Sequence, residues 1–269
     1  MAAERPETEA DGGAIDETRM PLIEHLKELR LRLIRAFLAI GAGFLIAYAF
    51  AERIFSILTW PIRSISHHRV LLIGTGVGEA FFVKLKVALI AALFIASPAV
   101  LYEIWKFIAP GLYETERKLA KPFVFFATIF FLLGGYFCWA VVFRVGYTFF
   151  LSQYETIGVT PTLRISEYLT FSSKLLLAFA ITFEMPIFAF FLTKVGIVDH
   201  RMMLKYFRYA VLAIFVVSAA LTPPDMISQF LLAIPLLLLY GLSIGVAYVF
   251  RAPGVAAATG KALAEPPTS

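Results

Sequence analysis

The sequence is poor in charged residues and in cysteine. Of its 269 residues, 60% are apolar and only 16% are charged, whereas a soluble domain carries about a quarter charged residues. The mean hydropathy is +0.81. This composition excludes a disordered chain and argues against an ordinary soluble domain, so it indicates a membrane protein. The single cysteine, Cys138, allows neither an internal disulfide nor a cysteine-based metal cluster.

The motifs of nucleotide binding and hydrolysis are also missing. The chain has no G-x-x-x-x-G-K-[ST] loop, no H-E-x-x-H pair and no G-x-S-x-G turn. Gly74-Thr-Gly-Val-Gly-Glu resembles a glycine-rich phosphate loop, but Glu79 stands where the third glycine belongs. We therefore predict no enzymatic activity, no cofactor and no metal site.

The first residues lack the apolar core of a cleavable signal peptide. Residues 1–18 are polar and acidic, and residues 252–269 are rich in Ala, Pro and Thr. Both segments are predicted to be disordered tails. The domain between them, residues 19–251, is predicted to lie in the membrane.

Six apolar stretches are candidates to cross a bilayer, which takes about 20 mostly apolar residues. The fifth is the shortest because Leu221-Thr-Pro-Pro ends it, and we expect it to thin the membrane locally. Lys and Arg number 16 on the side that holds both termini and 8 on the other side. Because cytoplasmic loops carry the excess of basic residues, both termini are predicted to be cytoplasmic. The predicted spans are approximately 31–52, 86–107, 121–145, 170–194, 208–222 and 227–250.

Glu184 lies in the middle of an apolar run, just before Pro186. An ionisable residue at the centre of a membrane helix costs on the order of 3 kcal/mol, so its carboxyl should not face lipid. The Glu184 carboxyl is therefore predicted to face the interior of the bundle, a water-filled cavity or a partner. A structural hydrogen bond between helices and a functional partner or ion site both remain open.

Acidic side chains collect around the predicted second loop. Glu103, Glu114 and Glu116 are either solvated charges or a site for a cationic peptide, since a carboxylate accepts two parallel hydrogen bonds from a guanidinium. Glu28 is predicted on the same side of the membrane and can pair with Arg32, four residues later on one helix. Two or more carboxylates could therefore converge there.

Thr222, Asp225 and Gln229 surround the Pro-Pro turn after the short fifth span. Asp225 can cap the next helix by accepting hydrogen bonds from its first amides. Alternatively, the three side chains form a polar cluster that a partner helix could bind.

Four motifs follow one another along the chain: Glu24-His-Leu-Lys-Glu-Leu-Arg-Leu-Arg-Leu, Phe107-Ile-Ala-Pro-Gly-Leu-Tyr-Glu-Thr-Glu-Arg, Ser172 through Phe183-Glu-Met-Pro, and Leu221-Thr-Pro-Pro-Asp-Met-Ile-Ser-Gln. Together, and in this order, they resemble the TatC family, the multi-span subunit of the twin-arginine protein translocase. The resemblance implies six spans in a concave, glove-shaped all-α bundle, with both termini in the cytoplasm, in the bacterial cytoplasmic (inner) membrane. It also implies a receptor that binds twin-arginine signal peptides and exports folded proteins using the proton-motive force.

The resemblance also implies roles for individual residues and partners. Positions linked to signal recognition are Glu28, Arg30, Phe107 and Glu116, and Glu114 could share the role of Glu116. Positions linked to the membrane interior, partner contact or the outer face are Glu184, Thr222, Gln229, Asp225 and the first-loop proline Pro61. The implied partners are signal peptides, single-span TatA/TatB-type subunits, membrane lipid and further copies of the chain, with no nucleic acid.

Two other functions are compatible with the same residues. The first is a proton-coupled small-solute transporter that uses Glu184 as its proton site. The second is a passive membrane scaffold, which predicts that Glu116 and Glu184 can both be neutralised without loss of export.

Overall fold

The chain folds into a bundle of long apolar helices. The structure is a computed structural model that describes the backbone of residues 14–65, 71–108, 120–223 and 225–250, and the side chains of residues 24–65, 71–107, 122–223 and 225–250. Five helical stretches are long and apolar enough to cross a membrane, and Phe207–Leu221 is a shorter apolar helix. The predicted all-α membrane fold is confirmed, and the short helix lies where the fifth span was predicted. The helices are α1 Ala14–Ala49, α2 Ala51–Ile65, α3 Glu79–Ile108, α4 Ala120–Phe137, α5 Phe143–Thr156, α6 Ile165–Thr182, α7 Met185–Lys194, α8 His200–Lys205, α9 Phe207–Leu221 and α10 Met226–Val249.

Helices α1 and α3 pack side by side in opposite directions. Arg32 in the middle of α1 contacts Glu103 near the end of α3, and Lys84 near the start of α3 contacts Glu52 just after α1. Between these two pairs, a Cβ added at Gly43 would lie 3.1 Å from a backbone oxygen of α3, so the two backbones approach closely. α1 begins at Ala14, so residues 14–18, which were predicted to belong to the disordered tail, are helical.

The third and fourth spans are each built from two helices. A π-helical segment, Cys138–Val142, joins α4 to α5 without a break. Between α6 and α7 the chain makes a turn at Phe183 and Glu184, because Pro186 in the first turn of α7 has no backbone N–H to continue α6. This turn places Glu184 at a discontinuity of the fourth span.

The segment between the first two spans is structured. Residues 52–86 were predicted to be an external loop, but they contain the helix α2, the strand β1 (Leu71–Ile73) and the first turns of α3. β1 pairs in parallel with β2 (Thr162–Arg164), which precedes α6. We call this end of the bundle, with α2, β1, β2 and the α9–α10 turn, the sheet end, and the opposite end, with Glu28, Arg32 and Glu103, the carboxylate end.

The glycine-rich segment Gly74–Glu79 belongs to the sheet end and binds the chain's own carboxylate. The amides of Thr75 and Gly76 donate to Glu79 Oε2 at 2.6 and 3.1 Å, and the amide of Ser166 donates to Glu79 Oε1 at 3.0 Å. Glu79, the residue that departs from the phosphate-loop pattern, therefore occupies the loop itself and ties it to the start of α6.

Two apolar clusters hold the described helices together. The larger one joins α2, α3, α6 and α10 with the third span, and Cys138 is fully buried in it. The smaller one lies near the end of α3, where the Trp105 ring contacts Phe123 at 4.1 Å and Phe191 at 4.4 Å between centroids. The smaller cluster fixes the end of α3 that carries Glu103 and Phe107.

Candidate functional site

Two carboxylates converge on one guanidinium at the carboxylate end. Arg32 donates through Nε to Glu28 Oε1 at 3.1 Å and through Nη1 to Glu103 Oε2 at 3.3 Å, and its Nη2 also contacts Glu28. The side chains of Arg32 and Glu103 are each 13% exposed, and that of Glu28 is 35% exposed. The arrangement is therefore a partly buried site that already holds a guanidinium between two acids.

The geometry follows from helix periodicity and from the packing of α1 on α3. Glu28 and Arg32 are four residues apart on α1, so they lie on the same face, as predicted. Glu103 was assigned to the second loop, but it lies in α3, which continues to Ile108. Because water is partly excluded, hydrogen bonds between a guanidinium and these carboxylates are stronger here than at an open surface.

An aromatic contact flanks the carboxylates. Phe107 lies four residues after Glu103 on α3, and its ring stacks on the His25 ring of α1 at 4.4 Å between centroids. Arg30, also on α1, is exposed. The predicted residues Glu114 and Glu116 lie outside the described residues.

The central position of Arg32 and the involvement of His25 were not predicted from the sequence. The sequence does contain a relevant pattern, because Glu28 and Arg32 are four residues apart and Glu103 and Phe107 are also four residues apart. Two such pairs on neighbouring antiparallel helices predict one common face, but the pairing of α1 with α3 cannot be read from either segment alone.

Glu184 is buried apart from this site. It is 4% exposed, and neither carboxyl oxygen has a hydrogen-bond partner among the described residues. The neighbouring residue Phe183 packs on Phe137 of α4, with 5.4 Å between ring centroids. A buried polar group without a partner costs free energy, so a hydrogen-bonding group brought to this carboxyl would stabilise it.

The polar residues of the α9–α10 turn each have a partner within the chain. Thr222 Oγ1 donates to the Ser218 carbonyl at 2.8 Å, and Gln229 Nε2 donates to the Phe215 carbonyl at 3.0 Å. Asp225 caps α10 by accepting from the Ser228 amide at 2.7 Å, which confirms the capping interpretation. Hydrogen bonds from the Ser228 side chain and amide hold the pKa of Asp225 below its ordinary value.

Pro61 is buried inside α2, at the sheet end. Together with the α9–α10 turn, it lies at the opposite end of the bundle from Glu28, Glu103 and Phe107. The structure thus divides the predicted site residues into a carboxylate group, a buried Glu184 and a sheet-end group.

Comparison with known proteins assigns these features to one family. Residues 24–235 match the family model described as Sec-independent protein translocase protein (TatC). A protein of Desulforapulum autotrophicum named Sec-independent protein translocase protein TatC is 43% identical over 236 residues, which cover 87% of each chain. A relative of the same name from Magnetococcus marinus is 42% identical and covers 85% of this chain and 84% of its own.

The fold is also similar to solved structures. A crystal structure of the twin arginine translocase receptor TatC superposes with a TM-score of 0.75 at 38% identity, covering 83% of this chain and 97% of that one. These matches do not support the small-solute transporter considered above. Together with the five long apolar helices, they identify a multi-pass membrane protein. The chain belongs to the TatC family of Sec-independent protein translocase proteins.

Proposed function

We propose that this chain is the receptor subunit of a twin-arginine translocase, which binds paired-arginine signal peptides and exports folded proteins using the proton-motive force. The observation that carries this proposal is the convergence of Glu28 and Glu103 on the guanidinium of Arg32. A site that holds one guanidinium between partly buried carboxylates has the chemistry to hold another from a peptide.

Binding proceeds by exchange at these carboxylates. An incoming arginine displaces Arg32 from Glu103, while Arg32 keeps its contact with Glu28 on the same helix. Glu116, with Glu114 beside it, follows α3 in the chain and supplies the carboxylate for the second arginine. A lysine is a poorer ligand, because its ammonium lacks the planar fork that matches a carboxylate.

The orientation follows from the distribution of basic residues. The side with 16 Lys and Arg is cytoplasmic, which places the carboxylate end and both termini inside the cell. Signal peptides made in the cytoplasm thus meet the carboxylate end first. The sheet end faces the other side of the bacterial cytoplasmic membrane.

Glu184 is the contact for a single-span subunit of the TatA/TatB type. Its carboxyl is buried without a described partner at the break between α6 and α7, so a polar group from a partner helix would complete it. Thr222 and Gln229 extend this contact surface toward the sheet end. Crosslinking of the partner to this region should fall in Glu184→Ala, and unchanged crosslinking would refute this contact.

Peptide binding tests the receptor role. The full chain in detergent is titrated with a twin-arginine signal peptide and with its twin-lysine counterpart at several salt concentrations. The expected result is tighter binding of the arginine peptide, weakened in Glu116→Gln and unchanged in the control Glu167→Gln, a carboxylate at the sheet end. Equal binding of both peptides would refute the proposal, and Glu116→Gln binding at wild-type affinity would remove Glu116 from the site.

A further inference from the structure

The buried proline of α2 leaves one backbone carbonyl without its usual partner. In an α-helix the carbonyl of residue 57 accepts from the amide of residue 61, and Pro61 has no amide hydrogen. Pro61 is nevertheless fully buried in a 15-residue helix. The Ile57 carbonyl must therefore find another donor or remain unsatisfied.

Two neighbouring helices supply donors to this part of α2. Trp139 donates its indole N–H to the Ile57 carbonyl at 2.8 Å, and Tyr168 of α6 donates its hydroxyl to the Leu58 carbonyl at 2.8 Å. The Trp139 ring also stacks on Trp60, with 5.5 Å between centroids. Two successive carbonyls of α2 are thus bound by side chains from two different spans.

Trp139 reaches α2 from an irregular part of the third span. It is the second residue of the π-helical segment Cys138–Val142, whose wider turn changes the direction in which the following side chains point. Such segments are rare and occur frequently at functional sites. The irregular turn and the freed carbonyl are independent features that meet in one hydrogen bond.

Another interior proline shows that this arrangement is not automatic. Pro98 inside α3 frees the Phe94 carbonyl, which accepts from Ser97 Oγ of the same helix at 2.8 Å. That solution is local and connects no other element. At Pro61 the freed carbonyl is used instead to join α2 to the third span.

We propose that Pro61 is a positioning residue, which keeps the Ile57 carbonyl free so that Trp139 can dock α2 across the sheet end. Tyr168 completes the attachment through the adjacent Leu58 carbonyl. This role goes beyond peptide recognition, because the attachment lies at the opposite end of the bundle from Glu28 and Glu103. It gives Pro61 a physical function that helix propensity alone would oppose.

A double-mutant cycle tests the link between Pro61 and Trp139. Amide hydrogen exchange of residues 51–65 is measured in the full chain in detergent for wild type, Trp139→Phe, Pro61→Ala and the double variant. Trp139→Phe should raise exchange by about threefold to tenfold, the worth of one hydrogen bond. In the Pro61→Ala background it should raise exchange by less than about twofold, since the alanine introduced there has an amide that then donates to the Ile57 carbonyl.

A spectroscopic signal separates this role from a general loss of stability. The indole N–H resonance of Trp139 should shift in Pro61→Ala and stay in place in the control Pro235→Ala, which restores an amide inside α10. Equal effects of Trp139→Phe in both backgrounds, or an unmoved indole resonance, would overturn the proposal. If Pro61→Ala does not fold, 3-benzothienylalanine at position 139, which lacks the N–H, must raise exchange with Pro61 in place, and unchanged exchange would overturn it.

The outcome is distinguishable from that of the receptor proposal. Trp139→Phe should bind the twin-arginine peptide with wild-type affinity, because Trp139 lies away from the carboxylate end. If wild type bound the twin-arginine and twin-lysine peptides equally well, the receptor role would be refuted, but the proposed docking of α2 would not be affected.

Discussion

Gly134 is expected to tolerate no side chain, and this expectation tests the packing of α4 on α6. A Cβ added there would lie 2.7 Å from the Phe179 carbonyl oxygen, 2.8 Å from Phe183 Cβ and 2.9 Å from Ala180 Cα. Backbone atoms cannot rotate away, so the two helices must separate in Gly134→Ala. Overpacking of this kind costs about 1–3 kcal/mol. The better helix preference of alanine, about 1 kcal/mol, offsets only part of that loss.

The midpoint of unfolding by sodium dodecyl sulfate, followed by circular dichroism in mixed micelles, measures this change. Gly146→Ala in α5 is the matched control, because no atom lies within 4 Å of its added Cβ. The control should be neutral or more stable by up to about 1 kcal/mol, while Gly134→Ala should unfold at a lower detergent fraction. A Gly134→Ala chain as stable as the Gly146→Ala chain would refute the close approach of α4 and α6.

Three further outcomes are expected. Asp225→Ala should lose about 1 kcal/mol of unfolding free energy at neutral pH, because it removes the side chain that caps α10. The folded pKa of Asp225 is lowered, so the stabilisation from its charge is present above the ordinary aspartate pKa and is lost as the pH falls through the folded value. The difference in unfolding free energy between wild type and variant should therefore shrink in acid. Phe191→Ala should lower the unfolding free energy by about 3–5 kcal/mol and shift Trp105 fluorescence, because it opens the smaller apolar cluster. The 15-residue helix α9 is about 22 Å long, which is shorter than a hydrocarbon core of about 30 Å. The chain should therefore unfold at a higher denaturant concentration in vesicles of short-chain lipids than in vesicles of long-chain lipids. The reverse order would contradict local thinning of the membrane.

The membrane spans could be predicted because burial in lipid leaves a strong local signal. Runs of apolar residues are long enough to be recognised without tertiary information, and even the short α9 was located from the Pro-Pro turn that ends it. The pairing of Glu28 with Arg32 and the cap at Asp225 were also predictable, since each depends on residues three or four positions apart.

The features of the sheet end depend on contacts between distant segments. α2 escaped prediction because it has only 15 residues and carries charged residues on its exposed face, so it does not form an uncharged apolar run long enough to resemble a membrane span. β1 and β2 have three residues each and are about 90 residues apart, so neither is recognisable alone. Ser166, whose amide donates to Glu79, is equally remote in the sequence. The role of Glu79, which stands where the phosphate-loop pattern has a glycine, could therefore be recognised only in the folded chain.

The same limit applies at the carboxylate end. The sequence placed several acids on one side of the membrane, but only the packing of α1 on α3 brings Glu103 to Arg32, 71 residues away. The position of Arg32 between two carboxylates depends on tertiary packing. This packing gives the charged residues a defined arrangement that the sequence alone does not reveal.

The ratio of affinities for the twin-arginine and twin-lysine peptides, compared between wild type and Glu28→Gln/Glu103→Gln, tests the central claim most directly. If these carboxylates bind the guanidinium groups, wild type should favour the arginine peptide by about tenfold to a hundredfold, the range of one charge-assisted hydrogen bond. The ratio should fall in the double variant, which keeps only the carboxylate proposed for the second arginine, Glu116. A ratio that is unchanged by removing both carboxylates would contradict the account.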